Sequence, residues 1–245
     1  MINRYLKIFF IFLAIFKQKN IPIISAKNID IKEIFSHMRD TQIRKILDII
    51  AICEGTARNK NHIHKPSLKE YQVSFGYTEK IKNLEEFPYL LYCPKINEKR
   101  FCGTASGRYQ FILKTWENIS KKINQKKIAQ EHPEFFDHLY EELPKYYDKD
   151  IVNLYKSRED IFKHKFGPIW QDISAIYLLM KANVIEDIKN KNIENILDKI
   201  SFIWPSFPKN YHSQNRYSDG VNHAKKYAFI LKLFKKHNIW GNYNE

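Results

Sequence analysis

The clearest periodicity in the chain begins at residue 41. Ile43, Ile46, Leu47 and Ile50 fall at i, i+3, i+4 and i+7, one apolar stripe on a helix that runs to about residue 54. Asp40 or Thr41 suits its N-cap and Gly55 its C-cap. A shorter helix over 31–38, with Asp30 as N-cap, precedes it. From 66 to about 107 the pattern changes. Tyr71-Gln72-Val73-Ser74-Phe75 alternates apolar and polar residues as a half-buried strand does, and Gly76, Pro88, Pro94 and Gly103 punctuate the rest of the stretch. This predicts a small antiparallel β-lobe. Helical spacing returns over 108–123, with Phe111, Ile112, Thr115, Trp116 and Ile119 on one side.

Residues 124–166 are highly charged and aromatic, and Pro133 and Pro144 break them into pieces. They read as a helical insertion with two short helices. Helices resume at 169–181, 184–189 and 193–203, and Trp204-Pro205-Ser206-Phe207-Pro208 ends the last of them. A loop over 209–219 and a C-terminal helix over 220–236 complete the chain. The predicted fold class is α+β, a mostly helical body carrying one small antiparallel β-lobe.

At 245 residues, 44% hydrophobic and 28% charged, the chain can bury a sizeable core, and only 7 Gly and 9 Pro argue against a flexible one. A formal net charge of +14 draws it to polyanions, but the lysines are scattered rather than gathered in one tract. A solvated basic face is the preferred reading over a nucleic-acid site.

Arg4 and Lys7 precede the apolar run Ile8-Phe9-Phe10-Ile11-Phe12-Leu13-Ala14-Ile15-Phe16, too short to span a bilayer but suited to a signal-peptide core, with Ile24-Ser25-Ala26 as a cleavage site. Residues 1–26 are therefore expected to be a signal peptide or apolar N-terminal segment, and 27–245 the folded domain. An amphipathic helix, packed on the domain or lying on a membrane surface, is the alternative. Cys93 and Cys102 flank a short turn-rich loop and can pair in an oxidising compartment; two free buried thiols are the other reading. Cys53 reads as a small core residue.

Glu54 lies eleven residues after Ile43, close to three helical turns, so it projects from the apolar face at the negative end of the helix dipole. Partial desolvation and the dipole both favour its protonated form, as a general acid requires. The plainer alternative is a helix-end glutamate that bends back into water.

Five segments, in order, carry a resemblance. They are Ile50 through Thr56 with its Glu54-Gly55-Thr56, Tyr71 to Gly76, Gly103 to Gln110 centred on Gly107-Arg108-Tyr109-Gln110, Gln171-Asp172-Ile173-Ser174-Ala175, and Ile203-Trp204-Pro205-Ser206-Phe207-Pro208. Tyr211 and Gln214 come after them. Together they resemble the lambda-type phage lysozyme (endolysin) family over most of 41–237, interrupted by 124–166. The chain departs from the family at His212-Ser213, where the family has a glycine after the tyrosine, and by a spacing before Tyr211 that is one residue shorter.

The resemblance implies a lysozyme-like fold with a saccharide groove between body and β-lobe. It implies a lytic transglycosylase that cleaves the β-1,4 bond between N-acetylmuramic acid and N-acetylglucosamine. Glu54 would protonate the leaving oxygen and then, as a carboxylate, take the proton from the muramic acid C6 hydroxyl, closing a 1,6-anhydro ring. No second carboxylate is needed, whereas an ordinary glycosidase uses two. Glu70, Glu79, Glu85 and Glu86 are available for such a role, but none sits at a matching motif position. A hydrolytic muramidase and a catalytically silent peptidoglycan-binding protein of the same fold are the alternatives.

The resemblance also makes Tyr71, Arg108, Tyr109, Gln110, Ser206, Tyr211 and Gln214 substrate-binding residues. Tyr109 and Gln110 are expected to line the groove, while Arg108 suits loop carbonyls, Trp204 the core, and Ser206 the capping of its turn. His62 and His64 have no third ligand nearby, so no metal is expected, and no cofactor. The expected partner is the peptidoglycan glycan strand, bound by a monomer without nucleic acid or membrane insertion beyond the N-terminal segment. Export to the periplasm or medium is expected, with cytoplasmic residence until lysis as the alternative for a phage-derived enzyme.

Overall fold

The computed structural model describes residues 29–57, 65–77, 79–93, 95–96, 99–100, 102–207, 220–236 and 238–239. Asp30 caps α1 (Ile31–Arg39) by accepting from the Lys32 amide. Asp40 separates α1 from α2 (Thr41–Cys53), its carboxylate accepting from the amides of Gln42 at 2.7 Å and Ile43 at 3.2 Å. Burial of α2 extends beyond the predicted stripe: Ile49, Ala51, Ile52 and Cys53 are buried as well, so the helix is enclosed around most of its circumference. It stops where the sequence suggests. The Thr56 amide bonds the Ala51 carbonyl at 2.9 Å, and Gly55 takes φ 76°, a left-handed turn that glycine makes without strain.

The region after residue 65 differs from expectation. The alternating segment does not form a strand. Its first residue closes the short helix α3 (Leu68–Tyr71), and Phe75–Tyr77 is a 3₁₀ turn. The physical reason is that no solvated face exists there: Tyr71, Gln72, Val73, Ser74 and Phe75 are all buried. Ser74 is satisfied internally, its hydroxyl donating to the Glu79 carbonyl at 2.6 Å. In place of the expected β-lobe, the described residues hold one two-residue antiparallel ladder, β1 (Lys95–Ile96) with β2 (Lys99–Arg100), and isolated bridges such as Val73 to Lys80 and Ser106 to Phe111. A disulfide joins Cys93 to Cys102 at the base of this hairpin. The helix expected from 108 begins later, as α4 (Leu113–Lys122), because Gly107 to Gln110 form a tight turn between the bridged residues Ser106 and Phe111.

Residues 124–166 form four helices rather than two: α5 (Gln125–Glu131), α6 (Pro133–Tyr146), α7 (Lys149–Leu154) and α8 (Arg158–Lys163). Pro133 opens α6 at a position where its missing N–H costs nothing, and Pro144 falls near the end of the same helix. Phe136, Leu139, Leu143, Tyr147, Ile151 and Ile161 belong to the same buried cluster as α2.

At the centre lies α9 (Pro168–Lys181), buried without interruption from Pro168 to Ile176 and packed against α1, α2, α3, α4 and the following helix α10 (Val184–Lys189). Helix α11 (Ile193–Ile203) leads into the turn at Trp204. The last helix, α12 (Gly220–Lys236), packs on α2 through a face that includes the buried Ile230, Leu233 and Phe234. No helix of the described residues is long and apolar enough to cross a membrane.

Candidate functional site

Glu54 occupies the C-cap of α2, its own amide donating to the Ile50 carbonyl at 2.8 Å. The left-handed turn at Gly55 carries the main chain away and leaves the side chain directed at the segment after α11. There Ser206, itself buried, donates its hydroxyl hydrogen to Glu54 Oε1. The Ser206 carbonyl in turn accepts from Lys226 Nζ on α12 at 3.3 Å. Removal from water pushes the Glu54 carboxyl up to about 7; the Ser206 hydrogen bond and the Lys226 charge pull it down without undoing that rise. The end of the α2 dipole acts in the same direction as burial. Burial also brings Lys226 down to about 8 and pushes the neighbouring Cys53 thiol up, which keeps that sulfur un-ionised. Glu54 is thus held where both protonation states are accessible near neutrality.

A buried polar frame fixes this end of α2. The Thr56 hydroxyl lies 2.5 Å from the Arg108 carbonyl oxygen. The Arg108 guanidinium, only 2% exposed, donates to Glu70 at 3.0 Å, to Asp48 of α2, and to the Tyr109 hydroxyl at 3.1 Å. Asp172, near the start of α9, accepts from the hydroxyls of Tyr71, Tyr109 and Tyr147, each at 2.8 Å. The Gln171 side chain accepts from the Arg108 amide at 2.8 Å and donates to the Phe166 carbonyl at 2.7 Å. Gly107 is required here on two grounds: its φ is 77°, and a Cβ would collide with the Gln171 amide. The Trp204 indole donates to the Tyr109 carbonyl at 2.9 Å, which ties the turn bearing Ser206 to the same frame.

The residues singled out from sequence therefore fall into three places. Ser206 meets Glu54 directly. Tyr71, Arg108 and Tyr109 are enclosed in the frame; Tyr71 and Tyr109 have 0% exposure, so the structure puts both rings in the core rather than along a groove. Gln110 is half-buried, and its side-chain amide donates to the Gly107 carbonyl at 3.0 Å. Trp204 is in the core, as expected. Tyr211, Gln214, His62 and His64 lie outside the described residues. Of the four carboxylates considered as second groups, Glu70 is buried against Arg108, Glu85 and Glu86 pair with Lys163 and Lys165, and Glu79 is exposed.

Sequence reasoning missed Lys226, whose place in a lysine-rich helix gives no signal of its own. It also missed Asp48 and Asp172 as members of a network. For Asp48 a signal existed: a carboxylate within the apolar run from Ile46 to Ile52 needs a buried partner.

The family model described as Endolysin matches residues 44–135 and 146–236, stretches that include Glu54, Arg108, Asp172, Ser206 and Lys226. No curated protein matches the chain. Among solved structures, bacteriophage lambda lysozyme complexed with a chitohexasaccharide is similar in fold, with a TM-score of 0.50 and 20% sequence identity over 81% of this chain and 95% of that one. With the family model matched over most of its length, the chain belongs to the endolysin family of lysozyme-like, peptidoglycan-degrading enzymes.

Proposed function

We propose that this endolysin is a lytic transglycosylase that cleaves the bond between N-acetylmuramic acid and N-acetylglucosamine and leaves a 1,6-anhydro end, with Glu54 acting first as acid and then as base. The observation that carries this reading is the setting of Glu54. Its carboxyl is held near pH 7 by burial, and a hydroxyl and an ammonium are in position to steady the carboxylate that forms when it gives up its proton. A hydrolytic route would need a second carboxylate to activate water. Glu70, Glu85 and Glu86 are engaged by cations, so of the four carboxylates considered a hydrolytic route is left with the exposed Glu79. The glycan strand as substrate class is carried over from the chitohexasaccharide in the similar lambda structure.

In this reading Ser206 orients the Glu54 carboxyl, and Gln110, Tyr211 and Gln214 bind the strand. Arg108, Tyr71 and Tyr109 act indirectly, by holding α2 in place. Export through the apolar N-terminal segment, with cleavage after Ala26, belongs to the same reading, and the Cys93–Cys102 disulfide supports passage through an oxidising compartment.

The test is digestion of purified peptidoglycan by the wild type and by Glu54→Gln, with the products identified by mass. Anhydro-muropeptides from the wild type alone are the expected result. Reducing-end products would replace the transglycosylase with a hydrolytic muramidase, and no release from either protein would move the reading to a silent binding protein.

A further inference from the structure

Lys226 takes no direct part in the proposed proton transfers, yet it stands one side chain away from the acid. Its helix, α12, packs on α2, the helix that ends in Glu54. Its Nζ donates to the Ser206 carbonyl at 3.3 Å, and the hydroxyl of the same serine donates to Glu54. Ser206 is buried and Lys226 half-buried, so the chain of contacts from ammonium to carboxylate is largely withdrawn from solvent screening. A positive charge in that position stabilises a carboxylate and does nothing for a carboxylic acid.

We infer that Lys226 is a positioning residue for glycan cleavage: through Ser206 it fixes the C-terminal helix to the acid and stabilises the ionised form of Glu54 between its two proton transfers. The inference rests on Glu54 being the acid and base. Without a cation, desolvation alone would make the proton easy to keep and hard to give. With one, giving it to the leaving oxygen and retrieving one from the C6 hydroxyl are brought closer in free energy. The charge acting on Glu54 comes from Lys226, while the groups acting on Lys226 are Glu54 and Cys53, both at the end of α2. Cys53 stays neutral in the relevant range, and Lys225, the preceding residue on α12, is exposed. Burial brings the two ionisable groups toward each other, Glu54 up to about 7 and Lys226 down to about 8, so both change charge within the range where the enzyme is expected to work.

The test is a titration of Glu54 in protein labelled with ¹³C at the glutamate carboxyls, its resonance identified by its loss in Glu54→Gln. In Lys226→Met the Glu54 pKa should rise by about one unit, and in Lys226→Arg it should stay near the wild-type value. Lys226→Gln keeps a donor for the Ser206 carbonyl while removing the charge, so it should shift the titration as Met does, and it serves if the Met variant does not fold. In kinetics, the alkaline limb of kcat/KM on peptidoglycan should move up with the pKa, with kcat falling more than KM changes. A Glu54 titration unmoved in folded Lys226→Gln or Lys226→Met overturns the inference. The titration does not depend on turnover, so it is separable from the proposed function, which falls instead if Glu54→Gln still releases muropeptides.

Discussion

The hydroxyl of Thr56, two residues beyond the acid, rests 2.5 Å from the carbonyl oxygen of Arg108. Through this contact Glu54-Gly55-Thr56 and Gly107-Arg108-Tyr109-Gln110 become one unit: the first carries the acid and the second holds the backbone that carries it. Thr56→Val, which keeps the shape and removes the donor, should lower stability by about 1–2 kcal/mol and reduce kcat more than it raises KM. Urea unfolding and peptidoglycan kinetics on the same preparation check both parts.

Glu54 sets the pH dependence. In the proposed reaction it enters protonated, so kcat/KM should fall as pH rises through about 7. Stability follows the same group. Its pKa is raised on folding, so the contribution is fully present below the ordinary carboxylate range and is lost as pH rises through about 7. Glu54→Gln, which mimics the protonated form, should flatten that part of the stability profile. Thermal unfolding of both proteins between about pH 4 and 8 tests this sign.

Removing the Ser206 hydroxyl takes away a hydrogen bond that favours the carboxylate. Ser206→Ala should therefore raise the Glu54 pKa further and cut kcat by about 10²-fold, with little change in unfolding midpoint. A loss of stability comparable to the loss of rate would mean that Ser206 serves the turn rather than the acid.

Arg108 is the cation that Asp48 and Glu70 share in the buried frame. Arg108→Met leaves Asp48 and Glu70 enclosed without their partner and should cost about 3–5 kcal/mol, read as a lowered urea midpoint. The double change Arg108→Met with Asp48→Asn should recover part of that loss, because one stranded charge is removed with it.

Much of the helical body was legible in the sequence. Ile43, Ile46, Leu47 and Ile50 announced α2, Asp40 its start and Gly55 its end; the choice of Glu54 as candidate acid came from the resemblance rather than from the helix alone. The lobe was misread because alternation signals a strand only when one face meets water, and Tyr71 to Phe75 are buried on both. The four helices of 124–166 were hidden by the opposite problem: their anchors, among them Phe136, Leu143, Ile151 and Ile161, are spread thinly among charges and gain their meaning only in the common core, where Phe136 meets Phe35 of α1 and Trp170 of α9. Tyr109 was expected at sugar because tyrosine suits a groove, and Tyr71 through the resemblance. Their hydroxyls found Asp172 instead, an acceptor 101 and 63 residues further along the chain. Lys226 could be reached only through Ser206.

Asp172 receives its three hydroxyls from Tyr71, Tyr109 and Tyr147, contributed by α3, by the turn after Gly107 and by the segment after α6. For anyone wishing to shuffle parts between endolysins this is a practical boundary. The stretch that contains the acid and the disulfide hairpin cannot be moved into another body as a cassette unless α9 travels with it or the host supplies the same aspartate. A chimera that broke at the tempting loop around residue 124 would sever donors from acceptor, and would forfeit the scaffold beneath the acid even with every groove residue retained.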